Sequence, residues 1–311
     1  MRVALLCPGQ GAQKVGMGKD LAEAFPGARD VFAAVDEALG VPLSQIMWDG
    51  PAEELTLTHN AQPAILAHTL AAFAVVRSVL QPVIGAGHSL GEYSAYAAAG
   101  ALRVADAARL VRRRGELMYD AGRSRPGTMA AVVGMSTAQV TAVCLEASGG
   151  DGVVVAANLN APDQTVISGD PVAVERAGSL LREAGAKRVL SLNVSGAFHS
   201  PLMAPAEQGL LAELAAVTFA DPAFPIVANA TAEPVHDAKT ARRYLGAQLT
   251  SPVRWVASME RAVADAGADV TFVEVGPGTV LSGLLRRIAG GVPAVALGTA
   301  DQLTSFLEQH A

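Results

Sequence analysis

Pro82-Val83-Ile84-Gly85-Ala86-Gly87-His88-Ser89-Leu90-Gly91-Glu92 reads as a short apolar strand closed by glycine, then a G-x-S-x-G turn, then the start of an alanine-rich helix over residues 92–99. Three further segments share the apolar run closed by a turn: 2–7 before Pro8-Gly9, 226–228 before Asn229, and 270–275 before Gly276-Pro277-Gly278. Such runs read as buried parallel strands. Between them, residues 63–79 and 105–119 repeat apolar side chains every three or four positions, as helices lying on a sheet do. Strand and helix in alternation imply an α/β fold with a parallel sheet.

The middle of the chain departs from that pattern after the polar hinge Arg123-Ser124-Arg125-Pro126-Gly127. Strand 128–133, helix 137–147, strands 153–159 and 165–169, helix 171–184 and strand 187–192 follow in turn. The order βαββαβ is the ferredoxin-like arrangement. The expected architecture is therefore a large, discontinuous α/β-hydrolase-like domain, residues 1–125 and 195–311, with a ferredoxin-like small domain, 126–194, inserted into it. A cleft between the two is the natural place for a site.

Composition narrows the function. The 311 residues carry 23 Lys+Arg against 29 Asp+Glu, a formal charge of −6, which argues against a nucleic-acid partner. With 51% hydrophobic and 17% charged residues the chain has the makings of a well-buried globule. The apolar stretch Val3-Ala4-Leu5-Leu6-Cys7 is too short for a signal-peptide core, and residues 61–76 are interrupted by Gln62, Pro63, His68 and Thr69, so neither export nor a membrane span is expected. Two cysteines, Cys7 and Cys144, make no disulfide framework and no metal knuckle, and point to a cytoplasmic setting.

Within the decisive stretch, Gly87-His88-Ser89-Leu90-Gly91 has the strand-turn-helix context of a nucleophile elbow, with the Ser89 oxygen at the positive end of the next helix. A serine that merely caps that helix would fit the same pattern. A serine nucleophile needs a base, and six histidines are available. His88 is adjacent at a tight turn, where neighbouring side chains diverge. His68 sits on an apolar helix, His310 is expected to be disordered near the C-terminus, and His59 and His236 lie in polar loops. His199, in the glycine-bearing loop Val194-Ser195-Gly196-Ala197-Phe198-His199, is left. Gly9-Gln10-Gly11-Ala12-Gln13-Lys14 lacks the third glycine of a dinucleotide loop, and Gly11 and Gly16 are not followed by the Lys-Ser/Thr of a P-loop.

Pro8-Gly9-Gln10-Gly11-Ala12-Gln13, Gln62-Pro63-Ala64, Gly87 to Ala95, Arg114-Gly115, Ala197-Phe198-His199-Ser200-Pro201-Leu202-Met203, Gln248 to Trp255 and Glu274-Val275-Gly276-Pro277-Gly278 occur in that order along nearly the whole chain. With these motifs the sequence resembles the malonyl-CoA:acyl carrier protein transacylases of fatty acid synthesis, and the related acyltransferase domains of polyketide synthases.

The resemblance implies an enzyme with Ser89 as acylated nucleophile and His199 as its base, then the acid for the leaving thiolate. It implies that the backbone carbonyl of Gln248 orients His199, so that a dyad replaces a triad, and that the backbone N–H groups of Gln10 and Leu90 form the oxyanion hole. Arg114 would hold the malonyl carboxylate with a planar fork that lysine lacks, while Arg112 and Arg113, on other faces of the helix, would be solvated. Gln62, Met118, Phe198 and Asn160 match positions around the acyl pocket, although Met118 also fits simple packing and Asn160 an Asx-turn. Malonyl-CoA and acyl carrier protein are the implied partners, with Lys187-Arg188 and Arg286-Arg287 as candidate docking charges. No metal or redox cofactor is implied, and a monomer is expected. A free-standing polyketide malonyl acyltransferase shares every motif; a thioesterase or esterase, or a scaffold that binds carrier protein without catalysis, fits them less well.

Overall fold

An apolar run needs cover on both faces, and five of the six residues of the first strand are buried. The computed structural model describes residues 1–150, 152–194 and 196–310. Its strands are β1 (Arg2–Cys7), β2 (Gln81–Gly87), β3 (Thr128–Val133), β4 (Val154–Ala161), β5 (Gln164–Gly169), β6 (Arg188–Ser191), β7 (Ile226–Val227), β8 (Pro234–Val235), β9 (Thr271–Val275) and β10 (Ala294–Leu297). One sheet has the order β10-β9-β1-β2-β7-β8. The four strands read from the sequence all lie in it and pair in parallel, β1 with β2 and β9, and β2 with β7. β10 extends it in parallel, and β8 turns back antiparallel on β7.

The second sheet is antiparallel, in the order β4-β5-β3-β6, and with helices Thr137–Ala147 and Pro171–Glu183 it completes the βαββαβ order. Alternation along β3 divides its side chains between two cores. Ala130 and Val132 pack with Val140, Ile167 and Leu181 under the two helices, whereas Met129 joins the large core beneath the first sheet. A main-chain bridge from Asn158 to Val253 and the Arg287 ion pair with Asp163 tie the two sheets' surroundings together. Ser195, where the large unit was expected to resume, lies outside the described residues.

Four expectations need correction. The helix predicted over 63–79 is Thr58–Val76, with Pro63 inside it. Proline removes the donor that would serve the carbonyl four residues back, and that carbonyl, of His59, instead accepts from Arg112 Nη1 at 3.2 Å. Arg112 is thus partly buried and also bonds Glu116 and Asn60, rather than being merely solvated. The helix predicted over 105–119 is Val104–Ser124 and runs into the expected hinge, because Ala121 and Gly122 still have core to cover. His310 is ordered in helix Ala300–His310, its ring stacked on Phe306 at 4.3 Å.

Candidate active site

β2 ends at Gly87 and helix Gly91–Ala98 begins four residues later, with Ser89 at the apex in the left-handed region, φ 52°. That conformation costs a residue with a side chain free energy, and it is typical of a strained strand-to-helix elbow. The flanking glycines serve space rather than φ. A Cβ on Gly87 would stand 1.9 Å from the Gly91 carbonyl carbon, and one on Gly91 would stand 2.1 Å from the Cys7 carbonyl oxygen. Gly9, on the loop after β1, is closed by the His88 carbonyl in the same way, at 2.5 Å.

Ser89 Oγ lies 2.8 Å from His199 Nε2. Nδ1 of the same ring faces two carbonyl oxygens, Gln248 at 3.0 Å and Ser251 at 3.2 Å. Carbonyls only accept, so Nδ1 carries the hydrogen and Nε2 presents its lone pair to the serine hydroxyl. His199 also has positive φ, 56°. Burial, and then the nearby Arg114 charge, push its pKa down to about 3, so the imidazole is a neutral acceptor throughout the physiological range.

Arg114 is 1% exposed, and Arg112 and Arg113 point elsewhere, Arg113 toward Glu116 and Glu213 on the surface. Its Nη1 donates to Gln62 Oε1 at 2.7 Å, and its Nη2 to Ser89 Oγ and Gln248 Oε1, both at 2.9 Å. Gln62 in turn donates to Thr58 Oγ1, and Thr58 to Gln10 Oε1, which links the guanidinium to the loop after β1. Gln62 is fully buried beside Arg114 and within reach of Met118 Sδ.

Two side chains that were not singled out from the sequence hold this group in place. Asn229, just past β7, accepts from the Ser89 backbone N–H at 2.7 Å and donates to the Gly87 carbonyl at 2.7 Å, which clamps the elbow. Glu92 is fully buried; its Oε2 accepts from Asn229 N at 3.0 Å and from Gln248 Nε2 at 2.7 Å. Gln248 Nε2 also donates to the Ser89 carbonyl. The signals were present: a carboxylate at the head of an alanine-rich helix, and a polar residue at the end of a parallel strand.

A cavity of about 320 Å³ opens onto Ser89 and His199, walled by Gln10, Met118 and Phe198 on one side and by Met129, Asn158, Asn160 and Val166 of the antiparallel sheet on the other. Leu90 follows the nucleophile and is buried. Asn160 lies on β4 and not in a turn; its Oδ1 is 2.8 Å from His88 Nε2. His88 packs on Trp255 and lines the same cavity as Ser89 and His199. His68 bonds the Gly298 carbonyl in the core. Of the candidate docking charges, Arg287 is engaged with Asp163 and Gln164, and the Lys187 stem covers Gly134. Among the described residues no cluster of three His, Cys, Asp or Glu could hold a metal ion, and no helix is long and apolar enough to cross a membrane.

Residues 4–297 match the model of a family described as an acyl transferase domain. The malonyl CoA-acyl carrier protein transacylase of Bacillus subtilis (strain 168) is 42% identical, over 97% of this chain and 95% of its own. An acyl carrier protein S-malonyltransferase from Vibrio cholerae has a similar structure, with TM-score 0.94 and 40% identity over 98% of this chain and 100% of that one. A malonyl-transacylase solved in complex with its type II PKS acyl-carrier protein gives TM-score 0.94 and 38% identity, covering 99% and 100%.

Proposed function

The chain belongs to the acyl transferase family, among the malonyl CoA-acyl carrier protein transacylases, and from that premise we propose that it moves malonyl from malonyl-CoA to the phosphopantetheine thiol of acyl carrier protein through a malonyl-Ser89 ester. The observation that carries this reading is the position of Ser89 Oγ, 2.8 Å from a neutral imidazole nitrogen and 2.9 Å from a buried guanidinium. A malonyl group has its carboxylate one methylene from the reacting carbonyl, so a single site must serve both ends.

In the first half-reaction Ser89 Oγ attacks the thioester carbon as its proton passes to His199 Nε2. The oxyanion is met by the backbone N–H groups of Gln10 and Leu90. The C–S bond breaks, and His199 returns the proton to the departing coenzyme A sulfur. In the second half the carrier thiol gives its proton to His199 and attacks the ester, and Ser89 recovers its hydrogen. Gln248 keeps His199 in the required tautomer, and Arg114, supported by Gln62, receives the carboxylate in a bidentate pair. Phe198, Met118 and Asn160 bound the acyl chamber. The scheme is complete with these groups and the two thiols, without a cofactor. Residues 126–194 would act as an inserted small domain closing the cleft, and two buried free thiols, Cys7 and Cys144, suit a reducing compartment.

The test is intact-mass measurement after brief exposure to malonyl-CoA or acetyl-CoA, followed by carrier protein. A malonyl adduct that Ser89→Ala abolishes and that discharges onto the carrier is expected, and Arg114→Ala should lower the malonyl adduct far more than the acetyl one. An adduct that decays to water and ignores the carrier would make the protein a hydrolase. The likeness to a transacylase held with a type II PKS carrier favours a second reading, in which a polyketide carrier is the acceptor. Discharge rates onto a fatty-acid carrier and a polyketide carrier, run in parallel, decide between the two.

A further inference from the structure

Arg114 is a fully buried cation that makes no direct ion pair among the described residues; the nearest thing to one runs through an amide. Arg114 Nη2 donates to Gln248 Oε1 at 2.9 Å, and Gln248 Nε2 donates to Glu92 Oε2 at 2.7 Å. The guanidinium and the Glu92 carboxylate are therefore counter-charges relayed by one side chain. Glu92 Oε2 takes both of the hydrogen bonds that hold Asn229 and Gln248, whereas Oε1 is buried with no partner among the described residues. A proton on Oε1 would break none of these bonds.

The malonyl carboxylate, on the reading above, also pairs with Arg114, which then faces two carboxylates, its own side chain and that of Glu92 both buried. One cation cannot balance two buried anions at low dielectric cost, so one carboxylate is driven to take up a proton. Malonyl must keep its charge to engage the guanidinium fork, whereas Glu92 has an unused oxygen. We propose that Glu92 is a charge-balancing, positioning residue that accepts a solvent proton on Oε1 when malonyl occupies Arg114 and releases it when the acyl group leaves. Burial already raises the Glu92 pKa to about 7 in the empty site, against the opposing pull of its hydrogen bonds and of Arg114.

The groups around Glu92 leave Arg114 as its partner in charge. Tyr93 and Tyr96 on its own helix are neutral phenols whose titration burial pushes up. On the elements packed against that helix, β2 and β7 carry no ionisable side chain, β1 brings the buried thiol Cys7 and, at its exposed start, Arg2, and helix Thr58–Val76 brings His68 and His59, engaged with Gly298 and Tyr119; helix Val104–Ser124 brings Arg114 itself, with Asp106 paired to Arg103 and Arg109 and Glu116 paired to Arg112 and Arg113.

Acylation itself is close to proton-neutral: thioester and serine hydroxyl become ester and thiol, and the coenzyme A thiol, with a pKa of about 8.5, releases only about a tenth of a proton at pH 7.5, the same for either acyl group. Any proton consumed in the burst therefore belongs to the protein. In weak buffer at pH 7.5 with an indicator dye, malonyl-CoA should consume a substantial fraction of one proton per Ser89 acylated, and acetyl-CoA none. The malonyl-CoA KM should rise with pH above about 7 by up to tenfold per unit, while the acetyl-CoA KM stays level. In Glu92→Gln, an isostere of the protonated form, the uptake disappears and the two KM profiles run parallel. Equal proton counts for the two acyl groups in the unaltered enzyme would overturn the proposal without recourse to any variant. Absence of a malonyl adduct would instead overturn the transfer reading on which it rests.

Discussion

Ser89 sits at φ 52°, where a Cβ crowds the following carbonyl at a cost of roughly 1–2 kcal/mol. Glycine at that position would shed the cost, whereas alanine would keep it, so Ser89→Gly should be more stable than Ser89→Ala by about 1 kcal/mol, though both lack the nucleophile. Denaturant midpoints of the two variants measure this, and equal midpoints would mean that the elbow relaxes when the hydroxyl is gone. The residues that touch the reacting atoms were legible because short motifs carry them: Ser89 in its glycine frame, and His199 by elimination and by resemblance. Glu92, Asn229 and Ser251 were not, because their partners arrive from 137, 140 and 52 positions away in the chain. Local sequence says nothing about which distant backbone will approach a carboxylate or an amide.

At the scale of elements, the glycines separate into those held by contact and those that are free. Gly87→Ala would drive a methyl into the main chain of Gly91, and backbone cannot step aside as a flexible side chain can. A loss of about 3 kcal/mol or more, with loss of Ser89 acylation, is expected. Gly283, within helix Val280–Ile288, meets nothing within 4 Å, and Gly283→Ala should stabilise by about 0.5–1 kcal/mol through helix propensity. Thermal unfolding of both variants checks the contrast. Elements with strong local signals were readable within a residue or two, β1, β3 and helix Thr137–Ala147 among them, the last closed by a Ser136–Gln139 capping box. β8 and β10 are not in the sequence reading, and it is their pairing with β7 and β9, supplied by the fold, that makes them strands. Helix Thr58–Val76 begins five residues before the sequence reading, since Pro63 reads as a first-turn residue and only the fold brings Arg112 to the His59 carbonyl.

Over the whole molecule, buried titratable groups set the response to acid. Burial lowers His68 to about 4 and His199 to about 3, so below pH 6.5 the unfolded chain binds protons that the folded one refuses. Their contribution is complete above pH 6.5 and is lost as pH falls. Glu92, raised to about 7, acts in the opposite sense between pH 7 and 4.5, since there the folded state holds the proton. Two histidines against one carboxylate leave a net uptake of one proton on unfolding, about 1.4 kcal/mol per pH unit below 6.5, with His88, also lowered by burial, adding to it. The urea midpoint should therefore fall between pH 6.5 and 5, and a level midpoint would contradict the burial of these rings. The molecule's connectivity has a consequence for how it is made. Ser89 and Arg114 precede the βαββαβ segment, whereas His199, Asn229, Gln248 and β9, the second neighbour of β1, follow it. On a ribosome the serine leaves the tunnel 110 residues ahead of its imidazole, and the sheet's central strand waits still longer for its missing side. A chain abandoned before Gln248 holds a serine with no fixed base beside an unfinished sheet, so interrupted translation produces inert debris for proteases rather than a stray esterase loose among the cell's thioesters.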